Sequence, residues 1–237
     1  MQTLRVGAAY PDPPFNGMPA DGGLDIDLMT AVADKLAMAV EFLPYEGTDF
    51  NGIFDALNLG AFDCVAAGTT VTLEREKKAT FAPPYLISGQ SLAVNTRSHP
   101  NLHSVDDLVG LTIGVQQGNT SRPIADKLVA DGKAARVKVY DYGDIRAALD
   151  DLSTGGCDAF MKLAPVLTEL VRPIADVEVV QRGISTENIA VAVGRDDQEL
   201  LARISVAQAQ LEEDGTLQRI RRKWLGNPYT DQSLGML

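Results

Sequence analysis

Apolar residues recur along this chain at two spacings that take turns. Leu4-Arg5-Val6-Gly7-Ala8 reads as a short strand. Ile26, Met29, Val32, Ala33 and Leu36 fall three and four apart, on one face of a helix from about 25 to 36. Residues 40–45 return to a strand. Phe50, Ile53 and Leu57 form the next helical stripe, with Asp49 as N-cap and Gly60 as stop. A strand over 62–66 then runs towards Gly68. Further strands are predicted over 87–95, 111–115, 137–140, 157–161, 177–180 and 189–193. Helices over 122–130, 144–152 and 165–171 separate several of them, and Ser104 opens a short one. Residues 198–224 are helical with a break at Asp214-Gly215. Strands alternating with helices predict an α/β fold with mostly parallel sheets flanked by helices.

The pattern also repeats. Phe50, Ile53, Leu57, Gly60 and Asp63 are echoed 95 residues later by Ile145, Ala148, Leu152, Gly155 and Asp158. Leu4-Arg5-Val6-Gly7 is echoed by Leu111-Thr112-Ile113-Gly114. Two lobes of similar design explain both echoes.

Two connections carry chemistry. Tyr10-Pro11-Asp12-Pro13-Pro14-Phe15 is too proline-rich for a helix or a ladder, so it is a rigid loop displaying Asp12 and Phe15. The strand ending at Ala66 leads into Gly68-Thr69-Thr70 and a helix start with Thr72 as N-cap and Glu74 and Glu76 in the first turn. Gly68 permits close backbone approach, a helix start offers N–H donors to an anion, and Arg75 adds a planar fork that grips a carboxylate with two bonds. Together they read as a carboxylate pocket at a strand end. The competing reading is an ordinary connection with a solvated Arg75.

Composition narrows the field. The chain has 237 residues, 45% of them hydrophobic, and a net charge of −11. That balance argues against nucleic acid, which calls for basic stripes, but leaves room for a small anion beside a local Arg. No apolar run reaches the ~20 residues that span a bilayer. Cys64 and Cys157 are expected to be buried free thiols rather than a disulfide. Met1-Gln2-Thr3 leads straight into the first strand, so either the protein is cytosolic or a targeting segment has been removed. No metal-ligand or Ser–His spacing appears, and no cofactor is expected. His99 and His103 lie in a polar loop away from the carboxylate turn.

Several stretches, in order, resemble the periplasmic solute-binding proteins of polar amino acid ABC transporters, the type II two-lobed class. They are Gly22-Gly23-Leu24-Asp25-Ile26-Asp27-Leu28, Gly60-Ala61-Phe62-Asp63, Thr70-Val71-Thr72-Leu73-Glu74-Arg75 and Phe81-Ala82-Pro83-Pro84-Tyr85. Ile113-Gly114-Val115-Gln116-Gln117-Gly118 and the segment from Asp214-Gly215-Thr216-Leu217 to Lys223-Trp224 complete the set. The resemblance implies two lobes, 1–90 plus 190–237 and 91–189, joined by two crossover strands near 88–94 and 188–193. It implies a solute cleft between them that closes by hinge motion, a permease as membrane partner, a monomer, and a periplasmic location with signal or lipid anchor removed. It places the solute's carboxylate on Arg75 with Gly68 and Thr70, adds donors from Asn119 and Thr120, and makes Phe50 and Phe15 aromatic walls.

One position departs from the family pattern. The residue that pairs with the solute's α-ammonium is usually a carboxylate, and its match here is Leu163, beside Lys162. Asp12 or Glu187 supplies the carboxylate instead, or the solute lacks the amine and Lys162 meets a second acidic group. A cyclohexadienyl-dehydratase-like enzyme, with Glu187 as its acid, and a receptor's ligand-sensing domain are the rival functions. No catalytic residue is assigned.

Overall fold

The computed structural model describes residues 2–18 and 22–226; residue 1 and residues 19–21 and 227–237 of the first expected lobe lie outside it. In chain order the elements are β1 (Thr3–Ala9), α1 (Leu24–Lys35), β2 (Ala39–Tyr45), α2 (Gly52–Asn58), β3 (Cys64–Val65), α3 (Leu73–Glu76), β4 (Ala79–Phe81), β5 (Leu86–Ser88) and β6 (Gln90–Asn95). After a 3-10 turn at Val105–Asp107 come β7 (Thr112–Gln116), α4 (Ser121–Ala130), β8 (Arg136–Tyr140), α5 (Ile145–Thr154), β9 (Ala159–Leu163), α6 (Ala164–Val171) and β10 (Val177–Gln181). The chain continues through β11 (Glu187–Ile189), β12 (Ala192–Gly194), α7 (Gln198–Glu213) and α8 (Thr216–Leu225).

These elements divide into two units. The first comprises Met1–Glu46, Gly52–Ile87 and Asn188–Leu237; the second comprises Gly47–Asn51 and Ser88–Glu187. Each holds one five-stranded sheet, ordered β2-β1-β3-β12-β4 in the first and β8-β7-β9-β6-β10 in the second. In the first, β1 is parallel to β2 and β3, while β12 is antiparallel to β3 and β4. In the second, β7 is parallel to β8 and β9, while β6 is antiparallel to β9 and β10. Four strands of each sheet therefore share a direction, and the fourth in the order alone is reversed. The reversed strand follows a member of the separate two-stranded sheet: β6 follows β5, and β12 follows β11.

The echo in the sequence has an atomic counterpart. Asp63 accepts the Arg5 N–H on Oδ2 at 2.8 Å and returns its own N–H to Arg5 O at 2.9 Å. Asp158 does the same with Thr112, at 2.7 and 3.1 Å. Each Asp enters its strand by stitching to the neighbouring parallel strand, so the spacing from helix to Gly to Asp is fixed by one local design used twice. Alternate side chains of the second sheet fill opposite faces, as a pleat requires. Leu92, Val94, Ile113, Val115 and Met161 pack on one face, and Ala93, Phe160, Leu152 and Leu167 on the other.

Four boundaries differ from the sequence reading. Phe50 is outside α2, whose buried residues are Ile53, Phe54 and Leu57. Asp49 Oδ1 accepts the Asn51 N–H at 2.8 Å, and α2 begins at Gly52. The strand expected over 87–95 breaks at Gly89, where a Cβ would stand 1.9 Å from the Ser185 carbonyl oxygen. The strand expected over 189–193 is likewise two pieces, and Cys157 precedes β9 rather than opening it. Both cysteines are buried free thiols.

Candidate functional site

Residues that carry chemistry gather at the carboxyl ends of the parallel strands, where open α/β sheets place their ligands. In the first unit these are the loop after β1 and the turn after β3. In the second they are the turn after β7, the end of β9 and the start of the reversed β6.

The turn after β3 is extended before it becomes helical. Val71 N–H donates to Asn188 O at 2.8 Å and Ala190 N–H to Thr69 O at 3.0 Å, so residues 69–71 pair with residues 188–190. Pairing of Thr69 and Val71 to one side turns the Thr70 backbone to the other, and Arg75 Nη1 donates to Thr70 O there, at 2.9 Å. The guanidinium carbon lies 5.6 Å from the centre of the Phe54 ring. Arg75 is buried, at 6% exposure. α3 is a single turn in which Thr72 Oγ1 accepts the Arg75 N–H at 3.2 Å, so the N-cap also fixes where Arg75 starts. Arg75 and Thr70 are thus brought together. Thr69 Oγ1 is buried with no partner among the described residues.

Gly68, expected to let backbone approach the solute, has its own N–H engaged within the first unit. Its N–H donates to Asp25 Oδ2 at 2.7 Å. Its φ of +56° and the Phe15 ring, 2.8 Å from where a Cβ would be, leave room for glycine alone. Phe15 is fully buried against it, packed as core rather than presented as a wall. α1 holds this loop from the other side, with Leu24 and Asp25 N–H groups donating to Pro14 O and Phe15 O at 2.8 and 3.0 Å. Those orphan helix donors are what the proline-rich loop satisfies. Asp12 closes the loop on itself: its N–H donates to Asn16 O at 2.7 Å and its carbonyl accepts from Phe15 and Asn16.

Asp25 was not legible as a functional residue. Its Oδ1 accepts the Tyr85 hydroxyl at 2.5 Å while Oδ2 takes Gly68. Burial pushes its pKa up to about 7, against the opposing effect of those two bonds, and the nearby Asp12 charge pushes the same way as burial.

The second unit presents two clusters. One begins with Phe50, whose segment is stitched to the turn after β7. Phe50 N–H donates to Gln117 O at 3.2 Å, Gln117 Nε2 to Asp49 Oδ2 at 2.9 Å, and Tyr142 N–H to Thr48 O at 2.8 Å. Phe50 meets Tyr142 edge to face with centroids 5.2 Å apart, so it packs in this unit rather than on the α2 stripe. Gln116 Nε2 donates to Tyr142 O at 2.6 Å, and Gln116 Oε1 accepts from Lys162 Nζ at 2.7 Å and weakly from Asn119 Nδ2 at 3.4 Å. Lys162 Nζ also lies 5.8 Å from the Tyr142 ring centre. With 3% exposure, Lys162 is a buried cation and not a solvated strand end.

The other cluster joins Gln90, Thr120, Ser185 and Glu187. Glu187 Oε1 accepts from Gln90 Nε2 at 2.9 Å and Ser185 Oγ at 2.8 Å, and Oε2 accepts from Thr120 Oγ1 at 2.8 Å. Thr120 in turn accepts from Gln90 Nε2 at 3.0 Å. The Thr120 hydroxyl hydrogen is therefore spent on Glu187, at the start of α4. Leu163 ends β9 directly opposite Gln90 and is buried. Gln90 and Gln116 are the residues that sequence reasoning missed; neither Gln differs in pattern from a surface amide.

Comparison with known proteins gives these clusters a context. The profile of the bacterial extracellular solute-binding proteins, family 3, matches residues 4–227. The L-cystine-binding protein TcyJ of Escherichia coli (strain K12) is 29% identical over 232 residues, covering 96% of this chain and 84% of that protein. The ABC transporter arginine-binding protein 1 of the same strain is 26% identical, covering 94% and 90%. Among solved structures, an ancestral arginine-binding protein bound to arginine superposes with a TM-score of 0.85 at 37% identity, covering 95% of this chain and 99% of that one. The ancestral amino acid-binding protein AncCDT-1, described as a precursor of cyclohexadienyl dehydratase, superposes at 0.82 with 32% identity, covering 94% and 95%.

Proposed function

This chain belongs to family 3 of the bacterial extracellular solute-binding proteins, and on that premise we propose that it captures an amino acid or amino-acid derivative and delivers it to the permease of an ABC importer. The observation that carries this reading is the buried Arg75 guanidinium, anchored at Thr70 O on a turn at the carboxyl end of the sheet. A fixed guanidinium in a low-dielectric setting pairs with a carboxylate through two parallel charge-assisted bonds. Thr70 lies beside it to share the load. Lys162 and Phe50, both buried in the second unit, are proposed to meet the solute's side chain.

In this proposal the protein works outside the cytoplasm, as a monomer, without nucleic acid or cofactor, and turns nothing over. The proposed lobes, 1–90 plus 190–237 and 91–189, draw together when solute binds; small-angle scattering reads this as a smaller radius of gyration, and unchanged dimensions at saturation contradict it. The identity of the solute is tested by thermal shift with amino acids, opine-like conjugates, dicarboxylates and amines. A ligand at about 100 times its Kd adds about 2.7 kcal/mol if it binds only the folded state. Incubation of the best ligand with the protein then yields no product. Product formation would move the protein to the dehydratase-like reading, since one structural neighbour is a precursor of cyclohexadienyl dehydratase.

A further inference from the structure

Asp25 is a fully buried carboxyl group held by neutral donors alone. The Gly68 N–H reaches Oδ2 at 2.7 Å and the Tyr85 hydroxyl reaches Oδ1 at 2.5 Å. Among the described residues no cation forms an ion pair with it, and the charge that acts on it is that of Asp12, also negative. The other charged groups around the junction are engaged elsewhere. Arg221 of α8 donates from Nε to Tyr85 O at 2.6 Å and gives its remaining nitrogens to Glu212. On α1 itself, Asp27 accepts from Lys223 and Trp224 of α8. An unpaired buried charge is costly, so a proton is held here at far higher pH than on an ordinary carboxylate. Burial holds the Asp25 pKa up at about 7, which puts the exchange of that proton near neutrality.

This carboxyl group stands directly behind the turn that carries Arg75. Gly68, which it holds, lies two residues before Thr70, whose carbonyl anchors the Arg75 guanidinium. Two residues of chain span at most about 7 Å. Ala66, Ala67, Thr69 and Thr70 along this run are all buried, so protein rather than water fills the space and charges across it are weakly screened. Protonation leaves the junction's contacts available. A neutral carboxyl still accepts from Gly68 on one oxygen and donates to the Tyr85 hydroxyl oxygen from the other. What differs between the two states is therefore the charge behind the turn.

We propose that Asp25 links solute capture to proton uptake: a solute carboxylate arriving at Thr70 and Arg75 draws a proton onto the buried Asp25 carboxylate behind them. The inference rests on the amino-acid reading above and deepens it with a form of regulation. A second negative charge beside Asp25 disfavours its ionised form. Linkage is reciprocal, so the proton on Asp25 tightens solute binding by the same factor as the solute tightens proton binding. Affinity is therefore highest on the acid side of neutrality and falls as pH rises through it. Each unit by which the solute raises the Asp25 pKa is worth about tenfold in affinity between the two limits.

The test is calorimetric titration of the full chain between pH 6 and pH 8, in paired buffers of small and large ionisation enthalpy. The probe is the tightest binder among L-cystine and the standard L-amino acids other than histidine, whose own ring titrates in this range. Wild type takes up a fraction of a proton per solute bound, most of it near pH 7, and its Kd rises with pH. Asp25→Asn keeps an acceptor for Gly68 and a donor for the Tyr85 oxygen but cannot ionise. It binds with an affinity near that of wild type at pH 6, with no proton uptake and a flat pH profile. Tyr85→Phe keeps Asp25 and removes a bond that favours its ionised form, so the uptake maximum moves to higher pH; this variant carries the test if Asp25→Asn does not fold. Proton uptake that persists in Asp25→Asn, or an unmoved maximum in Tyr85→Phe, overturns the proposal. So does wild-type binding with no proton exchange or with proton release, and in that case the amino-acid reading still stands. If wild type binds none of these compounds, the amino-acid reading fails and the proton link with it.

Discussion

Asp25 Oδ2 accepts the Gly68 N–H at 2.7 Å, tying the first turn of α1 to the turn that leads to Arg75. The bond explains why a carboxylate is tolerated in full burial. It also fixes Gly68, which reads from sequence as a point of close backbone approach, in the shape of this turn. The Tyr85 hydroxyl on the other oxygen completes a three-point junction between α1, the Gly68 turn and the segment after β4.

Stability should depend on pH through this group. Burial raises the Asp25 pKa to about 7 in the folded state, above the ordinary carboxylate range of the unfolded chain. Between the two values the folded protein holds a proton that the unfolded chain has released. Stability therefore falls as pH rises towards 7 and levels off above it. Urea unfolding of wild type and Asp25→Asn across pH 5–8 should show a difference that changes by up to about 1.4 kcal/mol per pH unit. A constant difference contradicts the raised pKa.

Gly68→Ala should destabilise by about 1–3 kcal/mol or more, because the new Cβ meets the buried Phe15 ring at 2.8 Å and the φ of +56° disfavours any side chain. Chemical denaturation measures it. Gly60→Ala, with open space around its Cβ but a φ of +79°, should cost less. Equal costs would mean that Phe15 yields easily and the turn is not held by packing.

The legible parts of the fold were those written in local pattern. The Ile26–Leu36 stripe, the Ser104 cap and the break at Asp214-Gly215 all reappear as elements or their ends. The repeated Gly-to-Asp spacing marked a stitch used in both sheets. Long-range pairing was not legible. Nothing near Phe50 says that its segment bonds Gln117 rather than continuing into α2. Gly89 reads as one strand residue among others, until the Ser185 carbonyl is found against it. Arg75, Thr72 and Thr70 were visible because their relations span five residues. Gln90 and Glu187 were not visible as a pair because 97 residues separate them.

Lys162→Met tests the other buried charge. Replacing a buried ammonium with an apolar chain of similar length often leaves stability unchanged or raises it. Lys162 is expected to act on the solute's side chain, so the variant should weaken binding of solutes with a second acid by about tenfold or more and leave singly acidic ones alone. Calorimetry with a matched pair, such as L-glutamate and L-norvaline, reads the difference. Equal affinities before and after substitution would remove Lys162 from the site.

The most direct measurement is calorimetric titration of the best amino-acid ligand into wild type, Arg75→Lys and Arg75→Ala, with thermal melts of each. Lysine keeps the charge but loses the planar fork, so binding should weaken in Arg75→Lys and vanish in Arg75→Ala while both proteins still melt cooperatively. Retained affinity in a folded Arg75→Ala protein would show that the solute's acid group is held elsewhere.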